Sequence, residues 1–223
     1  QEFHVMDFAE KEQRFTIPGP SGDLEVKVIA PAPEGALADK GLLAVVCHPH
    51  PLHGGTMDNK VVTTLARSYR DLGVAAVCFN FRGVGASGGT FDNAIGEVDD
   101  LLAVANWAQA QWPQRQRLLA GFSFGSAVAA QGSYRLQGLL HLTLVAPPVE
   151  RYAYDLEQRF TVPLCVIQGT EDELVDVPGV LRWAEGLRSP VDLLELSQAS
   201  HFFHGQLVTF KQRLTEVLLA RLG

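Results

Sequence analysis

The chain has 223 residues, 47% hydrophobic and 19% charged, an ordinary globular composition at a length that can bury a core without disulfide staples. Its formal net charge of -7 and the lack of any basic run argue against nucleic acid or an anionic membrane as a partner. The three cysteines, Cys47, Cys78 and Cys165, each lie in or at the end of an apolar run, which reads as reduced buried thiols rather than a disulfide framework.

No apolar run reaches transmembrane length, and the first residues lack a basic-then-apolar signal pattern, so a cytoplasmic protein is expected. Residues 1–14 read as an N-terminal tail, and those ahead of Met6, the first methionine, read as a cloning remnant or the outcome of processing. Phe15-Thr16-Ile17 and the alternating run Leu24-Glu25-Val26-Lys27-Val28-Ile29 flank a Pro/Gly/Ser turn and predict an antiparallel hairpin. Leu42-Leu43-Ala44-Val45-Val46-Cys47 is apolar throughout, the signature of a strand covered on both faces. A stiff loop follows, His48-Pro49-His50-Pro51-Leu52-His53-Gly54-Gly55, and then a helix over 59–72 with Asp58 as its cap.

The next buried strand covers 74–79 and runs into a glycine-rich loop at 82–89. That loop lacks the G-K-[ST] ending of a phosphate cradle and the spacing of a dinucleotide fingerprint. A helix over 97–111 opens on Glu97, Asp99 and Asp100, which suit the helix dipole as solvated capping carboxylates. Further strands are predicted at 117–120, 139–145, 164–168 and 191–196, with helices after 125, at 180–186 and at 206–222. Strands alternating with helices after a hairpin mean a mostly parallel sheet with helices on both faces. No repeat or linker interrupts the pattern, so residues 1–223 are expected to form one domain.

The chemistry centres on Gly121-Phe122-Ser123-Phe124-Gly125, a G-x-S-x-G pattern between an apolar run and an alanine-rich helix start. Glycine on both sides fits a turn sharp enough to force Ser123 into unfavourable dihedrals and lift its hydroxyl above the sheet. A nucleophilic serine needs a base and an acid to orient that base, and parallel sheets collect such residues at the carboxyl ends of their strands. Asp172, in the turn after the 164–168 strand, is the candidate acid, with its neighbour Glu171 as the alternative. His201, between the last strand and the last helix, is the candidate base, while His204 reads as a cap or packing residue. The order Ser123, Asp172, His201 is that of α/β-hydrolases.

The elbow, the Gly169-Thr170-Glu171-Asp172 turn and the Ala199-Ser200-His201-Phe202-Phe203 segment resemble an α/β-hydrolase. Two runs are more specific, residues 48–59 (from His48-Pro49-His50 to Met57-Asp58-Asn59) and residues 80–89 (from Asn80-Phe81-Arg82 to Gly88-Gly89). With them the chain resembles small, lidless bacterial serine hydrolases related to dienelactone hydrolases, from roughly Phe15 onward. Dienelactone hydrolases proper carry cysteine where Ser123 stands, so lactone cleavage does not carry over. The resemblance implies an oxyanion hole made by the Phe124 N–H and by an N–H of the loop after the Leu42–Cys47 strand. Pro49 and Pro51 have none to give, which leaves His50 or Leu52. It also implies that His48 bonds locally to stiffen the loop.

Rival readings are a zinc site at His48, His50 and His53, a non-catalytic binding scaffold of the same fold, and a thioesterase or peptidase using the same three residues. Prolines directly after His48 and His50, and the lack of an acid among the three histidines, count against zinc; no metal or other cofactor is expected. Dehalogenases and epoxide hydrolases would want aspartate at the elbow. The short 146–162 connection leaves little room for a lipase lid or a peptidase cap, although Tyr152, Tyr154 and Phe160 could line an acyl pocket. The expected substrate is a small or short-acyl ester in an open site.

Overall fold

The continuous apolar runs become the middle of one sheet. The computed structural model describes residues 8, 10–154 and 160–223. Eight strands, β1 (Glu12–Ile17), β2 (Leu24–Ile29), β3 (Leu42–Cys47), β4 (Ala75–Phe79), β5 (Gln116–Phe122), β6 (His141–Val145), β7 (Leu164–Gly169) and β8 (Val191–Leu196), are hydrogen-bonded in the order β1-β2-β4-β3-β5-β6-β7-β8. The hairpin pairs Ile17 with Leu24, β2 runs antiparallel to β4, and every later pairing is parallel. β1 starts at Glu12, inside the stretch expected to be tail; residues 1–7 and 9 of that tail lie outside the described residues.

Two helical layers explain why the central strands carry almost no polar side chains. Val45 and Leu119 face a layer containing α2 (Ile95–Gln111) and α3 (Phe124–Ser133). Ala44, Val46 and Ala120 face the layer of α1 (Lys60–Asp71) and α5 (Leu207–Leu222). With both faces covered, alternation has no water side to report. A fully buried leucine such as Leu119 contributes about 1.5–3 kcal/mol of transfer free energy, and dozens of such residues hold the layers together. The short α4 (Val177–Glu185) packs Val180 and Ala184 against Val166 of β7.

Two local expectations are corrected. The cap of α1 is Asn59, whose side-chain oxygen accepts the N–H groups of Val61 and Val62 at 2.9 and 3.3 Å. Asp58 is drawn instead to Arg14 at 2.7 Å and to the buried ammonium of Lys27 at 2.9 Å, which needs a counter-charge. Glu97 and Asp100 are fully buried rather than solvated. Asp100 accepts the Arg82 guanidinium at 2.9 Å and the Arg82 backbone N–H at 3.0 Å, tying the loop after β4 to α2. Only Asp99 keeps to the surface, beside Arg135. The glycine-rich loop closes on a carboxylate rather than a phosphate: the Ala86 N–H donates to Glu25 Oε2 at 2.7 Å.

Candidate active site

Ser123 sits at the apex between β5 and α3 with φ 54° and ψ -119°, a region in which an L residue is strained. The flanking glycines are needed for close approach rather than for their own dihedrals. A Cβ on Gly121 would lie 2.2 Å from the Gly125 carbonyl oxygen, and one on Gly125 would lie 2.4 Å from that of His48. The turn is therefore wedged between its own two arms and the loop after β3.

A hydrogen-bonded row leads away from the hydroxyl. Ser123 Oγ is 3.1 Å from His201 Nε2, and His201 Nδ1 is 2.8 Å from Asp172 Oδ2. Three strand ends supply the row: β5 brings the serine, β7 the aspartate and β8 the loop that carries the histidine. Asp172 and His201 are both buried. Asp172 Oδ1 accepts the N–H groups of Leu174 and Val175 at 2.8 and 3.1 Å, and Oδ2 accepts Gln168 Nε2 at 3.2 Å as well as His201. Burial pushes this carboxyl up, but the bonds from His201, Leu174 and Gln168 outweigh it and hold the group below the usual carboxylate range.

The neighbours take other roles. Glu171 is exposed, while Glu173 accepts the backbone N–H of His201 at 3.2 Å and steadies its loop. His204 is exposed beside the Phe202 ring, and the cap of α5 is Gln206, so His204 caps nothing.

In the loop after β3, His48 is fully buried; its Nδ1–H donates to the Pro49 carbonyl at 2.7 Å and its Nε2 accepts the Phe81 N–H at 3.0 Å. Those partners fix the tautomer, and burial lowers the imidazole pKa to about 4. His50 stacks on His53 with ring centroids 4.1 Å apart, and its Nδ1 accepts the Leu52 N–H at 3.1 Å. Leu52 is thereby committed away from the site, whereas the His50 N–H meets no acceptor among the described residues. The rings of the three histidines do not converge: among the described residues no group of three or more His, Cys, Asp or Glu side chains is placed to hold a metal ion.

Ser123, Phe124, His50 and His201 line an open cleft of about 140 Å³, rimmed by Tyr152, Leu174 and Phe202. Tyr152 packs its edge on Phe124 at 5.8 Å. Tyr154 and Phe160, read from sequence as pocket-lining, lie buried beneath it: Tyr154 OH is 2.6 Å from Ser126 Oγ, and Phe160 stacks on Tyr134. Residues 155–159 of the same connection lie outside the described residues. Sequence reasoning passed over Gln168, Ser126 and Glu173. For Gln168 a signal existed, a polar side chain closing an otherwise apolar strand beside Gly169.

No protein-family model matches the chain. The uncharacterized protein RP471 of Rickettsia prowazekii is 32% identical over 210 residues, covering 90% of this chain and 86% of its own length. Among solved structures, an α/β serine hydrolase homologue from Coxiella burnetii is 42% identical, with a TM-score of 0.89 over 95% of this chain and 100% of that one. XC6422 from Xanthomonas campestris, described as an α/β serine hydrolase without a lid, is 40% identical, with a TM-score of 0.89 over 96% of each chain.

Proposed function

The chain belongs to the lidless serine hydrolases of the α/β-hydrolase superfamily, and from that premise we propose that it is a carboxylesterase acting on small or short-acyl esters. One observation carries the reading: a strained elbow serine, 3.1 Å from an imidazole that is itself 2.8 Å from a carboxylate. Ser123 is the nucleophile, His201 the base and Asp172 the group that orients it. The Phe124 and His50 N–H groups form the oxyanion hole, and no metal or other cofactor takes part. A single domain, residues 1–223, carries the activity in the cytoplasm, where Cys47, Cys78 and Cys165 stay reduced.

The reaction runs through an acyl-enzyme. Ser123 Oγ bonds to the ester carbonyl carbon as its proton passes to His201 Nε2. The carbonyl oxygen takes the negative charge and is met by the two N–H groups, each worth about 3 kcal/mol at such a site. Collapse breaks the bond to the alcohol oxygen, which leaves with the proton from His201. Water then gives a proton to the same nitrogen as it attacks the acyl carbon; the bond from that carbon to Ser123 Oγ breaks, Oγ takes the proton back from His201, and the carboxylic acid leaves. An open cleft of about 140 Å³ suits short acyl groups, because a longer chain would lie in water.

A fluorophosphonate should label wild-type protein once, on Ser123, and Ser123→Ala should lose roughly 10⁴-fold or more in turnover with its fold unchanged. Chromogenic esters should be cleaved fastest at the shortest acyl lengths. Turnover retained in Ser123→Ala, or a preference for long acyl chains, would defeat the corresponding half of the reading.

A further inference from the structure

The Ser123 carbonyl is held more firmly than a helix start requires. As the first residue of α3, Phe124 has an N–H with no acceptor inside the helix. That N–H shares a planar peptide with the Ser123 carbonyl, and in a trans peptide the two point in opposite directions. Whatever fixes the carbonyl therefore aims the N–H. The Ser123 oxygen accepts twice from one residue, the Ser126 N–H at 2.9 Å and Ser126 Oγ at 2.6 Å.

Ser126 is itself supported. Its proton is engaged by the Ser123 carbonyl, an acceptor with no proton of its own, so the 2.6 Å contact with Tyr154 must run from the phenol O–H to Ser126 Oγ. Tyr154 is buried, its ring set at 5.4 Å against Trp183, and the adjacent Ala153 carbonyl is held by Gln131 Nε2 at 2.9 Å. Neither hydroxyl touches the cleft.

We propose that Tyr154 and Ser126 form a relay that orients and polarises the Phe124 N–H as oxyanion donor, acting through the Ser123–Phe124 peptide. The inference rests on the serine-hydrolase reading above. Strain supplies the need for it: rotation about ψ of Ser123 would relieve the unfavourable dihedrals and swing the N–H out of the hole. Two bonds to one oxygen oppose that rotation. A chain of hydrogen bonds ending on a carbonyl also withdraws electrons from the peptide nitrogen and strengthens its N–H as a donor. Tyr154 and Ser126 are positioning residues, not catalytic ones. A bond that merely held the 146–163 connection in place would change stability and leave turnover alone.

The test combines Tyr154→Phe, Ser126→Ala and the double variant, read by kcat and KM on a short chromogenic ester and by the rate of fluorophosphonate labelling. Ser126→Ala should lower kcat and the labelling rate roughly tenfold at unchanged KM, and Tyr154→Phe about threefold to tenfold. Because Tyr154 acts only through Ser126, the double variant should fall no further than Ser126→Ala within about twofold. A Tyr154→Phe protein labelled as fast as wild type, or a double variant whose loss is the product of the two singles, overturns the relay. If Tyr154→Phe does not fold, Ser126→Ala decides alone, and wild-type kcat in it overturns the relay. Wild-type protein that takes no label on Ser123 ends the serine-hydrolase reading and the relay with it; a labelled wild type beside unaffected variants ends the relay alone.

Discussion

At the scale of single residues, Asp172 divides its work between two oxygens. Oδ1 is filled by the N–H groups of Leu174 and Val175, and Oδ2 faces His201 and Gln168. An asparagine would keep its oxygen on the two backbone donors, since the reverse orientation would set N–H against N–H. Its amide nitrogen would then point at His201 Nδ1 and force that nitrogen to accept. The proton would move to Nε2, the atom proposed to receive one from Ser123. Asp172→Asn is therefore expected to lose on the order of 10³–10⁴-fold in kcat with little change in unfolding midpoint. Steady-state kinetics beside a denaturant titration checks it, and a loss under about tenfold would remove the orienting role from Asp172.

Between elements, the elbow and the loop after β3 are interlocked by absent side chains. Gly125 lies over the carbonyls of Cys47 and His48, where a Cβ would stand 2.5 and 2.4 Å away. Gly125→Ala would push apart the two elements proposed to carry the two oxyanion donors. It should cost about 1–3 kcal/mol of stability by overpacking and roughly 100-fold in kcat. Gly138→Ala is the control: φ is 72° there, but nothing lies within 4 Å of the added Cβ. It should cost about 1–2 kcal/mol and leave kcat alone. Equal kinetic effects of the two would show that strain, not interlocking, governs the loop. The strands, the elbow and the placing of Ser123, Asp172 and His201 at strand ends were legible in the sequence, because buried parallel strands are apolar throughout and their carboxyl ends follow in chain order. What was not legible depends on partners distant in sequence. Asp100 is buried because Arg82 reaches it from the loop after β4, and Asp58 leaves its helix because Lys27 of β2 needs it. The engagement of the Leu52 N–H by the His50 ring is likewise a contact that residue types alone do not announce. An aromatic near the site reads the same in sequence whether it faces the cleft or the core, and Tyr154 faces the core.

For the molecule as a whole, two buried histidines set the response to acid. His48 and His141 are fully buried, and burial lowers the pKa of each from 6.5 to about 4. His141 lies in β6, with Asp192 of β8 and Arg221 of α5 as its charged neighbours, opposed in sign and paired with each other. Neither of its ring nitrogens finds a partner among the described residues. His48 cannot keep its contacts once charged, because Nε2 would have to donate towards the Phe81 N–H that it now accepts. The folded state therefore takes up these protons later than the unfolded chain, and stability falls as pH drops. The loss begins near pH 6.5 and is complete near pH 4, on the order of 3 kcal/mol for each histidine. Asp58, held down to about 2 by Arg14 and Lys27, gives up its contribution only below that window. Urea midpoints should thus fall steeply between about pH 6.5 and 4.5, and His141→Leu should flatten roughly half of that slope. Leucine fills most of the imidazole volume and leaves no ring nitrogen unpaired, so the variant should be no less stable than wild type at about pH 5 even if repacking costs about 1 kcal/mol near neutrality. An unchanged slope in His141→Leu would mean that His141 stays neutral through acid unfolding, leaving His48 and the carboxylates to account for it.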